Sequence, residues 1–360
     1  MSRALGELEP WPGVLSLATA TPRQRYSQQE IYDLACNYSE FYRNPRVKQI
    51  FMNSDIDFRH LYFDMEQFGG VESNDEMHER FRRGAVEIGK QAIEACLSGG
   101  DIKAGEIDSL IVATCTGYLC PGLSSILIKE TGMRRDVQRV DLVGMGCAGA
   151  MPALQCASNF VRSHPTMKSL VLAVEICSAC YYLDESLETI VGNAICADGA
   201  AAAVIGMSDD RSLPKIVGFG THLEPSYIES VGFVQRGGKL RIILSKDLRG
   251  VAGGLVSALV DRLVSEFDVS REDIAHWVIH SGGRKVIDSI QHEIGLTDDQ
   301  IRHSRTVLSN FGNMSSPTVL FVLNELLRAS GSAREPRPDD LGMMLAMGPG
   351  LAVEGALLKW

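Results

Sequence analysis

The 360-residue chain has no uninterrupted apolar run near the ~18 residues a membrane span requires. Its opening stretch, MSRALGELEP, has no apolar core of signal-peptide length. Together these absences make a soluble, cytoplasmic protein the expectation. A basic excess is also missing. The formal net charge of -10 is the wrong sign for a phosphate backbone, which argues against nucleic acid as the main partner but leaves room for an anionic small substrate on a local basic patch. Nor is there a disulfide framework: nine cysteines, an odd number, sit mostly inside apolar strand or helix patterns and read as reduced thiols. The stretch CSAC, Cys177 to Cys180, has CxxC spacing, but no second CxxC and no nearby histidine completes a ligand set, so no metal site is expected.

What the sequence does hold is alternation. YSQQEIYDLACNYSEFY reads as a helix capped by Ser27, and NDEMHERFRRGAVEIGKQAIEACLSGG as a long amphipathic helix stopped by Gly99 and Gly100. IDSLIVATCTG is a β-branched strand, PGLSSILIKETGM a helix, RVDLVGM a strand and GAMPALQCASNFVRSH a helix. KSLVLAVEICSA and AAAAVIGM add strands, giving the spacing of an α/β fold. The second half repeats the order. GGLVSALVDRLVSEF is a helix, IAHWVIHSGG a strand ending in polar residues and RKVIDSIQHEIGL a helix. RTVLSNFGNM reads as a strand entering a tight turn, and SSPTVLFVLNELLRAS as a helix. The repeat keeps register: Thr114 to Cys147 and His280 to Asn313 each span 33 residues. A duplicated αβ unit is the expectation, with each copy placing a polar residue at a strand-to-helix junction. The predicted division is 1–205, carrying Cys147, and 206–360, carrying His280 and Asn313.

These three residues make chemical sense together. Most cysteines in apolar surroundings are buried packing, which suits Cys36, Cys96 and Cys156 on the apolar sides of helices. Cys147 instead stands between glycines in MGCAGA, where a tight turn lifts the side chain and the following helix favours a thiolate. An imidazolium at His280 would lower its pKa further. A satisfied structural histidine fits His276 or His292 better than His280, and helix capping competes for Asn313. The sharper reading gives His280 and Asn313 to an oxyanion hole that serves both acyl transfer and an enolate formed by decarboxylation. Loss of CO2 from a malonyl unit supplies the carbanion, so no general-base carboxylate is needed. A papain-type hydrolase shares the Cys-His-Asn composition, but its cysteine lies near the N-terminus beside a tryptophan that this chain lacks.

From LSLATATP to the C-terminus the chain resembles the chalcone-synthase-like family, the type III polyketide synthases of the thiolase and ketoacyl-synthase superfamily. The resemblance is carried in order by GMGCAGAMPAL, DGAAAAVIG, VIHSGGRKVIDSI, LSNFGNMSSPTVLFVL and GPGLAVEGALL. It implies a thiolase-like five-layered αβαβα fold and a homodimer. It also implies a starter acyl group carried on Cys147, iterative condensation with malonyl-CoA driven by His280 and Asn313, and cyclisation to a resorcinol-type or pyrone product. CoA thioesters would be substrates, with no cofactor and no metal. The family's two gatekeeper phenylalanines fall at Cys196 and Ile242, a cavity threonine at Cys180 and a cavity glycine at Phe233. Cys115, Thr116 and Cys120 follow the first-half strand toward the cavity and dimer interface, and Ser315 lines the pocket beside Asn313. For the CoA phosphates the sequence keeps Arg46 and Lys48, but Asn53, Asp55 and Asp57 fill the neighbouring stretch, so an acyl carrier protein is an alternative starter donor. The shifted cavity pattern is bacterial in character. The rivals are a ketoacyl carrier-protein synthase III-like enzyme performing one condensation, and a non-catalytic relative, which the intact Cys147, His280 and Asn313 disfavour.

Overall fold

A computed structural model describes residues 10–65, 72–236, 238–245, 248–329 and 335–360. In chain order its strands are β1 (Trp11–Ala20), β2 (Arg25–Ser27), β3 (Phe58–His60), β4 (Ser109–Ala113), β5 (Gln138–Leu142), β6 (Ser169–Ile176), β7 (Asp198–Ser208), β8 (Lys215–Leu223), β9 (Val231–Arg236), β10 (Lys239–Leu244), β11 (Ile274–Ile279), β12 (Leu341–Gly348) and β13 (Ala352–Lys359). Its helices are α1 (Gln28–Tyr38), α2 (Pro45–Met52), α3 (Asn74–Gly99), α4 (Leu123–Thr131), α5 (Ala150–Ser163), α6 (Leu187–Ile195), α7 (Leu248–Glu266), α8 (Arg284–Ile294), α9 (Arg302–Phe311) and α10 (Thr318–Arg328). Ser27 caps α1 as expected, its hydroxyl accepting from the Glu30 amide.

Nine strands hydrogen-bond in the order β11-β12-β13-β8-β1-β7-β6-β4-β5. The joint in the middle is a single residue pair, Gly13 opposite Lys215, so two sheets meet there edge to edge. In the first, β4 runs parallel to β5 and β6, and β7 runs antiparallel to β6 and β1. In the second, β11 runs parallel to β12, and β13 runs antiparallel to β12 and β8. Thus β1, β4, β6 and β7 recur as β8, β11, β12 and β13, the duplication the 33-residue echo implies. The strand expected over RTVLSNFGNM does not form; residues 302–311 are α9. His303, Ser304, Val307 and Leu308 are its buried positions, spaced for one face of a helix, and that period outweighs the analogy with β5. Strand β7 runs on to Ser208, past residue 205, and β8 then opens the second sheet.

Strand alternation explains the layers. Leu110, Val112, Leu170, Leu172, Ala202 and Val204 point to one side of the first sheet, where they pack on α3 and α4. Their neighbours Ile111, Val171, Ala173, Ala203 and Ile205 point the other way, onto α5 and α10. The second sheet turns Val278, Met344 and Ala356 toward the same two helices and Ile279, Met343, Leu345 and Leu357 toward α7 and α8. The order is therefore helix, sheet, helix, sheet, helix, the five-layered αβαβα arrangement. Five consecutive α10 residues, Val319 to Leu323, are buried, as a helix between two sheets requires. Strands covered on both faces read as near-continuous apolar runs, which is why β6 and β7 stand out in the sequence.

Candidate active site

Cys147 lies in a one-turn 3-10 segment, Gly146–Ala148, between β5 and α5. Gly146 has φ +52°, and a Cβ there would stand 2.3 Å from the Pro349 ring. Only glycine fits both demands, so the turn can press against the Gly348–Gly350 loop. This leaves Cys147 half-buried between two buried neighbours. The polar side chains of Ser315 and Asn313 neighbour its thiol.

Asn313 comes from the other half and also follows a left-handed glycine, Gly312 at φ +71°. Its backbone is clasped by the end of α6: Asn313 N–H donates to Ile195 O at 2.8 Å, and Ala197 N–H to Asn313 O at 2.8 Å. The carboxamide is oriented as firmly. Oδ1 accepts from Ser315 N–H at 2.8 Å, so Nδ2 must face the other way, donating to Gly282 O at 3.2 Å. Among the described residues the other Nδ2 hydrogen has no oxygen partner, and Cys147 neighbours this carboxamide. Asn313 does not cap α10, whose N-cap is Pro317; its oxygen instead closes a local turn onto Ser315. Ser315 itself sits at φ +59°, an uncommon conformation for a residue with a side chain, and its hydroxyl lies 3.4 Å from Cys115 Sγ.

His280 directly follows β11, with its N–H donating to Leu345 O at 2.8 Å in continuation of the ladder to β12. Reciprocal bonds pin this strand end to α9, Ser281 Oγ to Ser304 O and Ser304 Oγ to Ile279 O, each 2.7 Å. The imidazole is 4% exposed and its Nδ1 has no protein partner. His276 is the satisfied structural histidine expected, 2.8 Å from Asp340.

The electrostatics correct one expectation. A thiolate paired with an imidazolium was predicted, yet burial pushes the Cys147 thiol up to about 12 and the His280 imidazolium down to about 4. Hydrogen bonds from Ser315 and Asn313 pull the thiol downward and only partly offset this, while the nearby Cys196 and Glu175 oppose them. At neutral pH the free site holds a thiol and a neutral imidazole. A neutral imidazole has one nitrogen to donate and one to accept, so it can both hold an oxyanion and take a proton.

The other predicted residues divide among three places. Cys115 and Thr116 line a cavity of about 540 Å³ bounded by Met77, His78, Phe81 and Leu240. Cys180, Cys196, Phe233 and Ile242 line a separate cleft of only about 20 Å³, room for roughly one water. Phe233 and Ile242 face each other across the β9–β10 hairpin. Phe233, Tyr181 and Tyr182 stand in this cleft and leave it narrow. Cys120 is exposed on the loop after β4, and Arg46 and Lys48 are exposed on α2, where Lys48 Nζ lies 5.8 Å from the Tyr32 ring. Neither basic residue lines the cavity or the cleft.

Comparison with known proteins now bears on this geometry. Residues 66–275 match the FAE1/Type III polyketide synthase-like protein family, and residues 234–360 match the chalcone and stilbene synthase C-terminal domain. The chain belongs to the type III polyketide synthases. It is 34% identical to a 3,5-dihydroxyphenylacetyl-CoA synthase of Streptomyces toyocaensis, over 98% of this chain and 90% of that one. It is 32% identical to an alpha-pyrone synthesis polyketide synthase-like protein of Mycobacterium tuberculosis, over 98% and 93%. A polyketide synthase crystal structure from the brown alga Ectocarpus siliculosus superposes with a TM-score of 0.90 at 26% identity, over 98% and 99%. As a type III polyketide synthase the protein is a decarboxylating condensing acyltransferase, and the single-condensation alternative falls away.

One site residue of this polyketide synthase escapes reasoning from the sequence. Glu175, fully buried on β6, accepts from Cys115 N–H at 2.9 Å, Thr116 N–H at 3.0 Å, Thr116 Oγ1 at 2.8 Å and Ser316 Oγ at 2.6 Å. It ties the loop after β4 to the segment carrying Asn313 and Ser315. Its signal was a lone carboxylate in an otherwise apolar eight-residue strand.

Proposed function

We propose that Cys147 carries the acyl group of a CoA starter and that His280 and Asn313 drive its extension with malonyl-CoA. In loading, the Cys147 sulfur attacks the thioester carbonyl as its proton passes to neutral His280; the tetrahedral oxyanion then collapses and CoA leaves with that proton. In extension, malonyl-CoA loses CO2, and the enolate oxygen is held by the N–H groups of His280 and Asn313. The enolate carbon attacks the Cys147 thioester, the longer chain departs on CoA, and the sulfur leaves as a thiolate that takes a proton from solvent to restore the thiol. Repetition and ring closure give an aromatic resorcinol-type or pyrone product, in keeping with the names of the two bacterial relatives. These steps draw on no resident cofactor or metal. The observation that carries the reading is the Asn313 carboxamide, fixed by Ser315 and Gly282 with one N–H left over beside Cys147.

Cys115, Thr116 and Ser315 would shape the chain on one side of Cys147, and Cys180, Cys196, Phe233 and Ile242 on the other. A homodimer formed along the exposed edge strand β5 fits Tyr118, Val140 and Val143, which are 70%, 42% and 54% exposed. Among the described residues no helix is long and apolar enough to cross a membrane, in keeping with a cytoplasmic enzyme. Arg46 and Lys48 are offered as CoA-phosphate contacts. Asp55 lies 3.7 Å from both Arg284 and Arg305 and partly neutralises them, which favours testing an acyl carrier protein as a second starter donor.

The test is incubation with radiolabelled malonyl-CoA and a panel of acyl-CoA starters, with products read by mass. Triketide or longer cyclised products are expected. Release of CO2 with no product beyond a single condensation would overturn the proposal.

A further inference from the structure

Helix α6 ends inside the protein, and the last four carbonyls of any helix lack partners within the helix proper. Its last turn carries no basic residue of its own to meet the negative end of the helix dipole. All four carbonyls are nonetheless satisfied. Gly192 O accepts locally from Cys196 N–H at 2.9 Å. The other three are met from distant segments: Asn193 O by Arg59 Nη1 at 2.6 Å, Ala194 O by Gln28 Nε2 at 2.7 Å and Ile195 O by Asn313 N–H at 2.8 Å. The buried end of α6 is thus a junction between the N-terminal strand β3, helix α1 and the residue that faces Cys147.

Arg59 is the centre of that junction. It is wholly buried on β3, and among the described residues it has no ion pair. Its charge meets carbonyl oxygens instead, since Nη1 also lies 2.7 Å from Cys196 O and 2.7 Å from the Tyr181 hydroxyl, which donates in turn to Cys196 O. The guanidinium therefore grips the chain on both sides of Ile195. The grip matters because Ile195 O and Ala197 N–H hold the Asn313 backbone from either side, and Cys196 and Asn313 pair as a parallel bridge. The stem of Arg59 closes the other approach: a Cβ at Gly312 would stand 2.9 Å from its Cγ and Cδ. One side chain thus touches both the clasp and the residue before Asn313. Strand β3 is itself anchored to the end of α9, where the Asp57 N–H donates to Ser309 O at 2.8 Å.

We propose that Arg59 is a positioning residue for Asn313. By capping the buried end of α6 and backing Gly312, it sets where the Asn313 carboxamide stands beside Cys147. It lines neither the large cavity nor the narrow cleft, so it acts through Asn313 and not on substrate. The inference rests on the reading of Asn313 as a donor to the enolate oxygen.

The test is a double-mutant cycle on the full-length protein, read as CO2 released from carboxyl-labelled malonyl-CoA. Arg59→Met keeps an apolar stem and removes the guanidinium. It should lower kcat by up to roughly 100-fold and leave KM for malonyl-CoA little changed, because a misaimed donor is lost in the transition state. Arg59→Lys, which keeps the charge and a donor, should recover part of that loss. In an Asn313→Ala background Arg59→Met should cost nothing further, since the group it aims is gone. Thermal unfolding checks that each variant folds. If Arg59→Met does not, Tyr181→Phe replaces it in the cycle: it removes the hydroxyl shared by Arg59 and Cys196 O, keeps the ring, and should give a smaller loss with the same non-additivity. The same fold-loss in both backgrounds would overturn the proposal, and so would a raised KM with kcat intact. Undiminished CO2 release by Asn313→Ala alone would instead strike the oxyanion reading, so the two failures are told apart.

Discussion

The two halves of the molecule deliver their reactive residues by the same local device and by different routes. Each places a residue immediately after a left-handed glycine, Cys147 after Gly146 and Asn313 after Gly312, 33 residues beyond the first residue after a matched parallel strand. In the first half the route passes through an edge strand, β5; in the second it passes through helix α9. The first half ends in a thiol and the second in hydrogen-bond donors, His280 and Asn313. A duplicated fold has kept the positions of two junctions while their chemistry has separated into a nucleophile and an oxyanion site.

If that separation is real, its steps can be broken one at a time. Cys147→Ala should abolish acyl-enzyme formation entirely, with no starter mass on the intact protein. It should leave measurable decarboxylation of malonyl-CoA, because His280 and Asn313 remain. Complete loss of CO2 release in a folded Cys147→Ala would show that the halves act as one unit. The converse variant, Asn313→Ala, removes one donor and should lower condensation roughly 100- to 1,000-fold, on the order of 3 to 4 kcal/mol of transition-state stabilisation. Starter loading should suffer less than decarboxylation, since the enolate depends on that donor throughout. Equal losses in single-turnover measurements of both steps would erase the distinction.

The halves also differ in how they titrate, and here the sign matters. Burial raises the Cys147 thiol to about 12, so across neutral pH the thiolate is a small fraction that grows about tenfold per pH unit. Alkylation of Cys147 by iodoacetamide should therefore climb steadily from pH 7 to 9 without a plateau. His280, lowered to about 4, should contribute no inflection above pH 5. A plateau near pH 7 would restore the thiolate-imidazolium pair that the sequence alone suggested.

How much of this was legible in the residues depended on whether the cause was local. The strands of the central sheets are apolar on both faces, so their composition exposed them, and the glycine-flanked Cys147 and Asn313 were visible as turn-borne polar residues. Helix α9 reads as a strand by analogy with the first half, and only its helical i, i+4 burial period separates the two. Glu175 looked like an isolated charge, since its partners Thr116 and Ser316 lie 59 and 141 residues away. The facing of Phe233 and Ile242 was hidden for a simpler reason, as a hairpin register is not written in either residue. The neutral state of the Cys147 and His280 pair could not be read at all, because desolvation depends on what the rest of the chain packs around them.

The smallest effect probes the shared device itself. Alanine at Gly146 or Gly312 must adopt a left-handed φ, at a cost of about 1 to 3 kcal/mol each. The surroundings then distinguish them. At Gly146 the new Cβ would meet the Pro349 ring at 2.3 Å, whereas at Gly312 it would meet the buried Arg59 stem and the Ile195 carbonyl less closely, at 2.9 Å. Gly146→Ala should therefore lower the midpoint of denaturant unfolding more than Gly312→Ala. Activity should follow a different order, because relief at Gly312 moves either Arg59 or the Ile195 carbonyl that clasps Asn313, and so misaims the amide without unfolding the protein. If Gly312→Ala lost stability and kept full decarboxylation, the clasp on Asn313 would be incidental to its aim, and the likeness between the two junctions would reduce to shared backbone geometry.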